Sequence, residues 1–479
     1  MTETLGAISN AIWVPMAYVV LGLGLLFTIL TKGVQFRRLP DMIRQLKEGD
    51  HGGTMSSYQA WMLALSNRLG IGSIAGVAIA VSFGGPGALL WMAITGLVAS
   101  PVGFAESTIA QLFKRKDQGE ERGGPPYYIK YGLRWPAVAV ALSVFSFFGY
   151  GFIFPGLQSN TIAAAATHAF NVPLIIPGLI ITAFIAFVIF GGTKRIVKTA
   201  ELMTPVMGIG YLLLAIIVIV VNYQKIPAAI SLIVSAGLGM DAVFGGIIGW
   251  AISWGVRRAV FASANGNGEG TYSAAAANTT HPAKQGLVQA FSIYIDVLLV
   301  CMATGLMIVV SGSYNVVNPE GGFLAENLKG IVAGANYVQV AIDTALPGFG
   351  SYFVSIALFL FGFTCMTFYY YCANANLMFL LNGRESKVLS TMTKSGVVVI
   401  CLVGSLVSAP LAWSIADIGF GLIGWVNLLA MLMLLPLTLK LLRDYDQQRK
   451  AGLNPVFDPS KFPEVKGLDW WHGGGAMES

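Results

Sequence analysis

The chain has 479 residues, of which 55% are hydrophobic and only 11% charged. A soluble protein of this length carries about a quarter charged residues, so a soluble globular domain is excluded, and apolar runs that are continuous rather than alternating exclude a β-barrel. The formal net charge of +6 does not point to nucleic acid, because the cations are divided among short loops between apolar runs instead of covering one face.

In chain order, the N-terminal "MTETLGAISN" has no basic n-region, so the first apolar run is expected to be retained rather than cleaved. Runs long enough to cross a bilayer, which takes about 20 helical residues, are expected near 11–30, 57–83, 87–112, 136–157, 173–191, 201–222, 241–260, 286–311, 350–380, 395–411 and 418–442. The reading is an all-α polytopic membrane protein with about eleven transmembrane helices. "FRRLPDMIRQLKEG" after the first span is basic and amphipathic, and is expected along the inner membrane surface. Residues 311–349 form the longest external connection, and 443–479 read as a polar tail.

Lys and Arg mark cytoplasmic loops. They gather at Lys32–Lys47, Lys114–Arg134, Lys194–Lys198, Lys284, Arg384–Lys394 and Lys440–Lys466, whereas the opposite side holds Lys225 and Lys329. This pattern predicts an outside N-terminus and a cytoplasmic C-terminus. Arg68, Arg257 and Arg258 belong to no loop. Intramembrane charge is costly, so they are expected to gate or to brace structure near the cytoplasmic mouth, bonding broken-helix carbonyls or an acid.

Span two contains "SNRLGIGSIAGVAIA" (Ser66–Ala80), and span seven runs into "RRAVFASANGNGEG" (Arg257–Gly270). Both are apolar, then break into Gly, Asn, Ser and Arg, then resume. Backbone that leaves the helix inside a bilayer is tolerated only where it is buried in protein or lines a cavity. With span one set aside, spans 2–6 and 7–11 each begin with a break. A repeat unit of five spans must insert in opposite orientations, which gives an inverted repeat. Paired interruptions of this kind point to a central binding site in a secondary transporter. The divisions follow as 1–56 (N-terminal helix and surface segment), 57–222, 223–442 and the tail 443–479.

Gln158 and Asn160 follow a Pro-Gly pair expected to loosen the helix end, and either bind substrate or join helices. Glu106 and Asp296 are carboxylates within spans and so functional candidates or structural partners of an Arg. Thr364 and Thr367 offer hydroxyls for a sodium site, and the run Phe368–Tyr371 reads as packing. The four cysteines and four histidines show no disulfide or metal spacing. No nucleophile–base pair and no Walker A sequence is present, so neither an intramembrane enzyme nor an ATP-driven pump is expected.

Several blocks in order resemble the alanine-or-glycine:cation symporters: "FGGPGALLWM", "GGPPYYIKYGL", "GLQSN", "HPAKQGLVQAFSIYIDVLLVCMATG" and "DYDQQRKAGLNPVFDPSKFP". The resemblance implies a LeuT-type five-plus-five inverted repeat behind one extra N-terminal helix, with two discontinuous helices. It also implies sodium- or proton-driven uptake of a small neutral amino acid by alternating access in the bacterial inner membrane, with no cofactor and no catalytic or metal residue. The substrate positions the resemblance implies are Gly70 and Gly72 in the first break, Gln158, and Gly266 and Gly268 in the second; Ser73, Asn265 and Asn267, which stand beside them and depart from the family, are added as substrate candidates. Gly70 and Thr364 are the cation candidates that match the family, joined by the Thr367 hydroxyl and by Asn374, which stands where the family usually has an acid. This chain departs from the family pattern at Ser73, Ser263, Ala264 and Asn374, which replace amides or acids, and it gains an acid at Glu269. The competing reading is a receptor or regulator of the same fold that binds an amino acid without ion coupling.

Overall fold

The computed structural model describes residues 2–47, 55–117 and 119–472. Glu48 and Gly49 of the amphipathic segment and residues 473–479 of the tail lie outside them. In chain order the main helices are α1 (Thr2–Leu30), α2 (Leu39–Leu46), α3 (Ser57–Arg68), α4 (Ala75–Gly84), α5 (Gly87–Leu112), α6 (Pro136–Phe170) and α7 (Ile175–Ile189). They continue as α8 (Thr193–Val221), α9 (Ile248–Ser263), α10 (Thr271–Ala276), α11 (Pro282–Ser311), α12 (Gly350–Leu380), α13 (Lys387–Leu406) and α14 (Ala409–Lys450). Among the described residues, eight helices are long and apolar enough to cross a membrane. α7 is shorter, and the pairs α3/α4 and α9/α10 are the interrupted ones.

Local chemistry explains these boundaries. Ser56 opens α3 with a reciprocal capping box: its hydroxyl accepts from Gln59 N at 3.2 Å, and Gln59 Oε1 accepts from Ser56 N at 3.1 Å. The Pro155-Gly156 pair does not end its helix. A π-helical turn at Gly149–Ile153 precedes it and absorbs the missing N–H, so α6 runs on to Phe170. α11 carries a second π-helical stretch, Tyr294–Cys301, which contains Asp296.

The fold is not purely helical. Two small antiparallel hairpins occupy loops, Arg115–Asp117 with Glu120–Arg122, and Asn315–Val317 with Phe323–Glu326. The amphipathic segment is pinned to the end of α14 by Arg38 to Asp446 (2.6 Å) and Arg449 to Asp41 (2.8 Å). The tail is less polar in practice than its composition suggests: Phe457, Phe462, Trp470 and Trp471 are buried. Phe457 N donates to Thr280 O at 2.8 Å, Trp471 Nε1 donates to Leu112 O at 3.1 Å, and Lys114 Nζ lies 3.6 Å from the Trp470 ring centroid. These aromatic residues close the end of the bundle that carries the basic loops.

Candidate functional site

The two interruptions meet in the core. After Arg68 the chain leaves the helix, makes one tight turn over Ile71–Ser73 and resumes at Ala75. After Ser263 it turns through left-handed conformations at Ala264 (φ +51°), Gly266 (φ +85°) and Gly268 (φ +78°) before α10 begins. A Cβ on Gly72 would stand 3.1 Å from Ala262 Cα, so the first break lies directly against the last turn of α9. A Cβ on Gly70 would meet Asn67 O at 3.1 Å, Cys365 Sγ at 3.3 Å and Gln158 Nε2 at 3.5 Å. Glycine therefore leaves bare backbone at the point where α3, α6 and α12 converge.

Gln158 belongs to this convergence. Its Oε1 accepts from Ile71 N at 3.4 Å, and its Nε2 donates to Cys365 Sγ at 3.0 Å. Asn160, two residues on, donates to Gly404 O (3.1 Å) and Val407 O, and ties α6 to α13 instead. Thr364 Oγ1 lies 3.2 Å from Ser66 O, at the last turn of α3, and Thr367 Oγ1 donates to Thr364 O at 2.7 Å. Asn374 is ten residues beyond Thr364 on the same unbroken helix, about 15 Å away at the helical rise. It therefore shares no ion with Thr364.

The second break is held from outside by Glu106 of α5. Its carboxylate accepts from Gly266 N (3.5 Å), Gly268 N (3.2 Å) and Asn427 Nδ2 (2.8 Å). Asn265 turns toward α5, donating to Ala99 O at 2.7 Å, so it anchors the loop. Asn267 turns inward, with its Nδ2 donating to Glu269 Oε2 at 3.2 Å and its Oδ1 accepting from Glu269 N at 3.1 Å. Ser73 Oγ reaches Asp296 Oδ1 at 2.6 Å and Arg68 O at 3.0 Å, so this serine braces α11. Ser263 Oγ bonds within its own helix, to Ala259 O at 2.7 Å. Arg68 is buried; its Nη1 donates to Gln289 O at 2.8 Å and also contacts Ser292 Oγ.

Arg257 and Arg258 are expected from residue order near the mouth that carries the basic loops, and they lie away from it. Arg258 forms a fork with Asp417, at 3.1 and 2.7 Å, while Arg257 donates to Asn10 Oδ1 at 3.0 Å. Asp417 stands near the start of α14 and Arg443 near its far end, about 40 Å apart along the helix. The arginines thus sit at the end opposite the basic loops. There they floor a vestibule of about 830 Å³ with Trp254 and Trp413. Trp413 stacks on Arg258 at 4.6 Å and Trp254 on Arg257 at 4.4 Å.

Asp417, Asn427, Asn67 and Cys365 were not singled out in the sequence. The signal for the first two was present, since each is a polar residue inside an apolar run, where such residues find partners. The expected span began at 418, which left Asp417 just outside it.

The profile of the Sodium:alanine symporter family matches residues 1–459. The chain is 44% identical to the putative sodium/proton-dependent alanine carrier protein YrbD of Bacillus subtilis (strain 168), over 98% of each chain. It is 42% identical to a sodium/proton-dependent alanine carrier protein of Bacillus sp. (strain PS3), over 88% of this chain and 94% of the relative. It is 30% identical to the sodium/alanine symporter AgcS of Methanococcus maripaludis, over 92% of this chain and 97% of the relative. Among solved structures, a mutant of the Eremococcus coleocola manganese transporter superposes with a TM-score of 0.50 at 10% identity, over 82% of this chain and 81% of the other. That likeness bears on the fold alone. The chain belongs to the sodium:alanine symporter family.

Proposed function

We propose that the chain is a secondary active transporter that carries a small neutral amino acid, alanine or glycine, with sodium or a proton by alternating access. Its architecture is eleven spans: α1, then two inverted five-span repeats at 57–222 and 223–442, with the N-terminus outside and the tail in the cytoplasm. The observation that carries the reading is the contact of the two interrupted helices at Gly72 and Ala262, with Gln158 of a third helix bonded to the buried, unwound backbone at Ile71. Backbone outside the helix ladder at helix ends can serve a substrate carboxylate through its amides and a cation through its carbonyls. Relatives named as sodium/proton-dependent alanine carriers support the choice of substrate and ion.

In this reading Gly70, Gly72 and Gln158 line the substrate site from one side, and Gly266, Asn267 and Gly268 form the opposite wall. Thr364 and Thr367, with the Ser66 carbonyl, form a neutral-oxygen cation site, in keeping with hard oxygen ligands for hard cations. Arg258 and Asp417 close the vestibule side, and Ser73, Asn265, Glu106, Asp296 and Arg68 hold the breaks in shape.

Gln158→Ala is expected to weaken alanine binding to the purified protein by about tenfold or more, since it removes polar partners in a buried site. Asn160→Ala, which loosens α6 from α13, is expected to lower thermal stability and leave the affinity near that of the wild type. Equal affinities in wild type and Gln158→Ala, by direct binding of labelled alanine, would move the site elsewhere.

A further inference from the structure

Three carboxylates, Glu106, Glu269 and Asp296, are fully buried in the core, and a single guanidinium, Arg68, is buried among them. Their partners differ. Glu106 has two backbone N–H donors and the Asn427 amide. Asp296 has the Ser73 hydroxyl, with the Cys301 thiol at 3.7 Å, and its Oδ2 has no hydrogen-bond partner among the described residues. On Glu269, Oε2 accepts from Asn267 Nδ2, the Asn67 amide leans on the carboxylate, and Oε1 has no hydrogen-bond partner among the described residues.

With one cation for three acids, the core as built carries excess negative charge. A buried carboxylate left in that state is costly, and compensation comes from a bound cation or a proton. Glu269 and Asp296 each have two donors and one unpartnered oxygen, but Asp296 lies within the continuous α11 and is tied to Ser73, whereas Glu269 stands inside the unwound segment between α9 and α10. Among the described residues no group of three or more His, Cys, Asp or Glu could hold a metal ion. A monovalent cation needs only a single carboxylate and neutral oxygens, which Glu269 and the Asn67 and Asn267 amides supply.

We propose that Glu269 is the carboxylate of a monovalent-cation site in the second break, built from different atoms than the Thr364 and Thr367 hydroxyls, which takes up one hard cation, sodium or a proton, in each transport cycle. The proposal rests on the carrier reading above and adds a second coupled charge to it. The groups that face Glu269 are Asn67 and Arg68 of α3, Glu106 of α5, Tyr150 of α6, Tyr272 of α10, and Cys365, Tyr369 and Cys372 of α12. The phenols and thiols are ordinarily neutral near pH 7. Glu106 keeps its three donors, Asp296, within α11, its tie to Ser73, and Arg68 its charge, which leaves Glu269, in the unwound segment, as the group whose occupancy changes.

The test uses the full chain in proteoliposomes, comparing wild type with Glu269→Gln. Alanine counterflow, which needs no gradient, reports whether the protein is a carrier. The reversal potential of alanine current is then measured with a sodium gradient at equal pH, and with a proton gradient at equal sodium. The expected result is that Glu269→Gln keeps counterflow and moves one ion fewer per alanine, for sodium in one case or for the proton in the other, which identifies the occupant. Unchanged coupling to both ions in Glu269→Gln overturns the proposal. So does a loss of alanine affinity with coupling intact, because Glu269 would then hold the substrate ammonium. If the variant does not fold, the wild type decides. Dicyclohexylcarbodiimide labelling of the peptide carrying Glu269 should fall with added sodium, or with raised pH alone for a proton site; labelling that responds to neither, or no labelling at all, overturns it. Absent counterflow in the wild type contradicts the carrier reading instead, and the carbodiimide map still decides the cation site.

Discussion

Glu106→Ala is expected to abolish alanine binding and to lower the thermal midpoint of the purified protein sharply. The substitution leaves three buried donors, Gly266 N, Gly268 N and Asn427 Nδ2, without an acceptor. Each stranded donor costs on the order of 1–3 kcal/mol, so the total loss is about 3–6 kcal/mol even when the contributions do not add fully. The effect reaches the site because those amides fix the left-handed turns at Gly266 and Gly268, and those turns set where Asn267 and Glu269 point. Glu106→Gln keeps one acceptor oxygen and is expected to lose less of both. Thermal unfolding monitored by intrinsic fluorescence, with labelled-alanine binding on the same samples, reads the two effects together. A Glu106→Ala protein with wild-type midpoint and affinity would show that the second break is not held by this carboxylate.

Gly268→Ala should be comparably damaging for a different reason. Gly268 has φ +78°, and a Cβ there would stand 2.5 Å from Pro125 Cγ and 2.9 Å from the Tyr128 hydroxyl oxygen. The left-handed conformation costs roughly 1–2 kcal/mol for a residue with a Cβ, and forcing an extra carbon into a packed site costs about 1–3 kcal/mol more. Gly312 makes the matching control. It has φ +72° with open space where the Cβ would go, so Gly312→Ala carries the backbone cost alone. Size-exclusion recovery of monodisperse protein should be much lower for Gly268→Ala than for Gly312→Ala. Equal recovery would mean that Pro125 and Tyr128 yield freely and that the loop is not tightly packed.

The run of apolar segments was legible from residue order because lipid and length constrain it strongly: the 87–112 and 350–380 spans fall on helices with the same limits. The two interruptions were legible because Gly, Asn, Ser and Arg clustered within an apolar run are too costly in lipid unless protein surrounds them. The direction each side chain takes inside a break was not. An unwound segment has no helical phase, so nothing in "SANGNGE" distinguishes Asn265, which turns to Ala99, from Asn267, which turns to Glu269. Ser73 is similar, since its tie to Asp296 spans 223 residues of sequence. Asn374, which stands where the family usually has an acid, was grouped with Thr364 on the same span, and the helical rise separates them. The buried aromatic tail was hidden because its Phe and Trp residues are spaced among Pro, Gly and charged residues, without the periodicity of a helix.

In the proposed function, the meeting point of the two interrupted helices couples an ion gradient to amino-acid movement. This coupling is tested most directly by labelled alanine uptake into proteoliposomes of the wild-type chain under an inward sodium gradient, an inward proton gradient, or neither. Alanine is expected to accumulate above the external concentration under at least one gradient, with the accumulation collapsed by an ionophore for that ion and absent without a gradient. Alanine that binds the same preparation but never accumulates under either gradient would contradict it, and would leave an amino-acid-binding membrane protein without ion coupling.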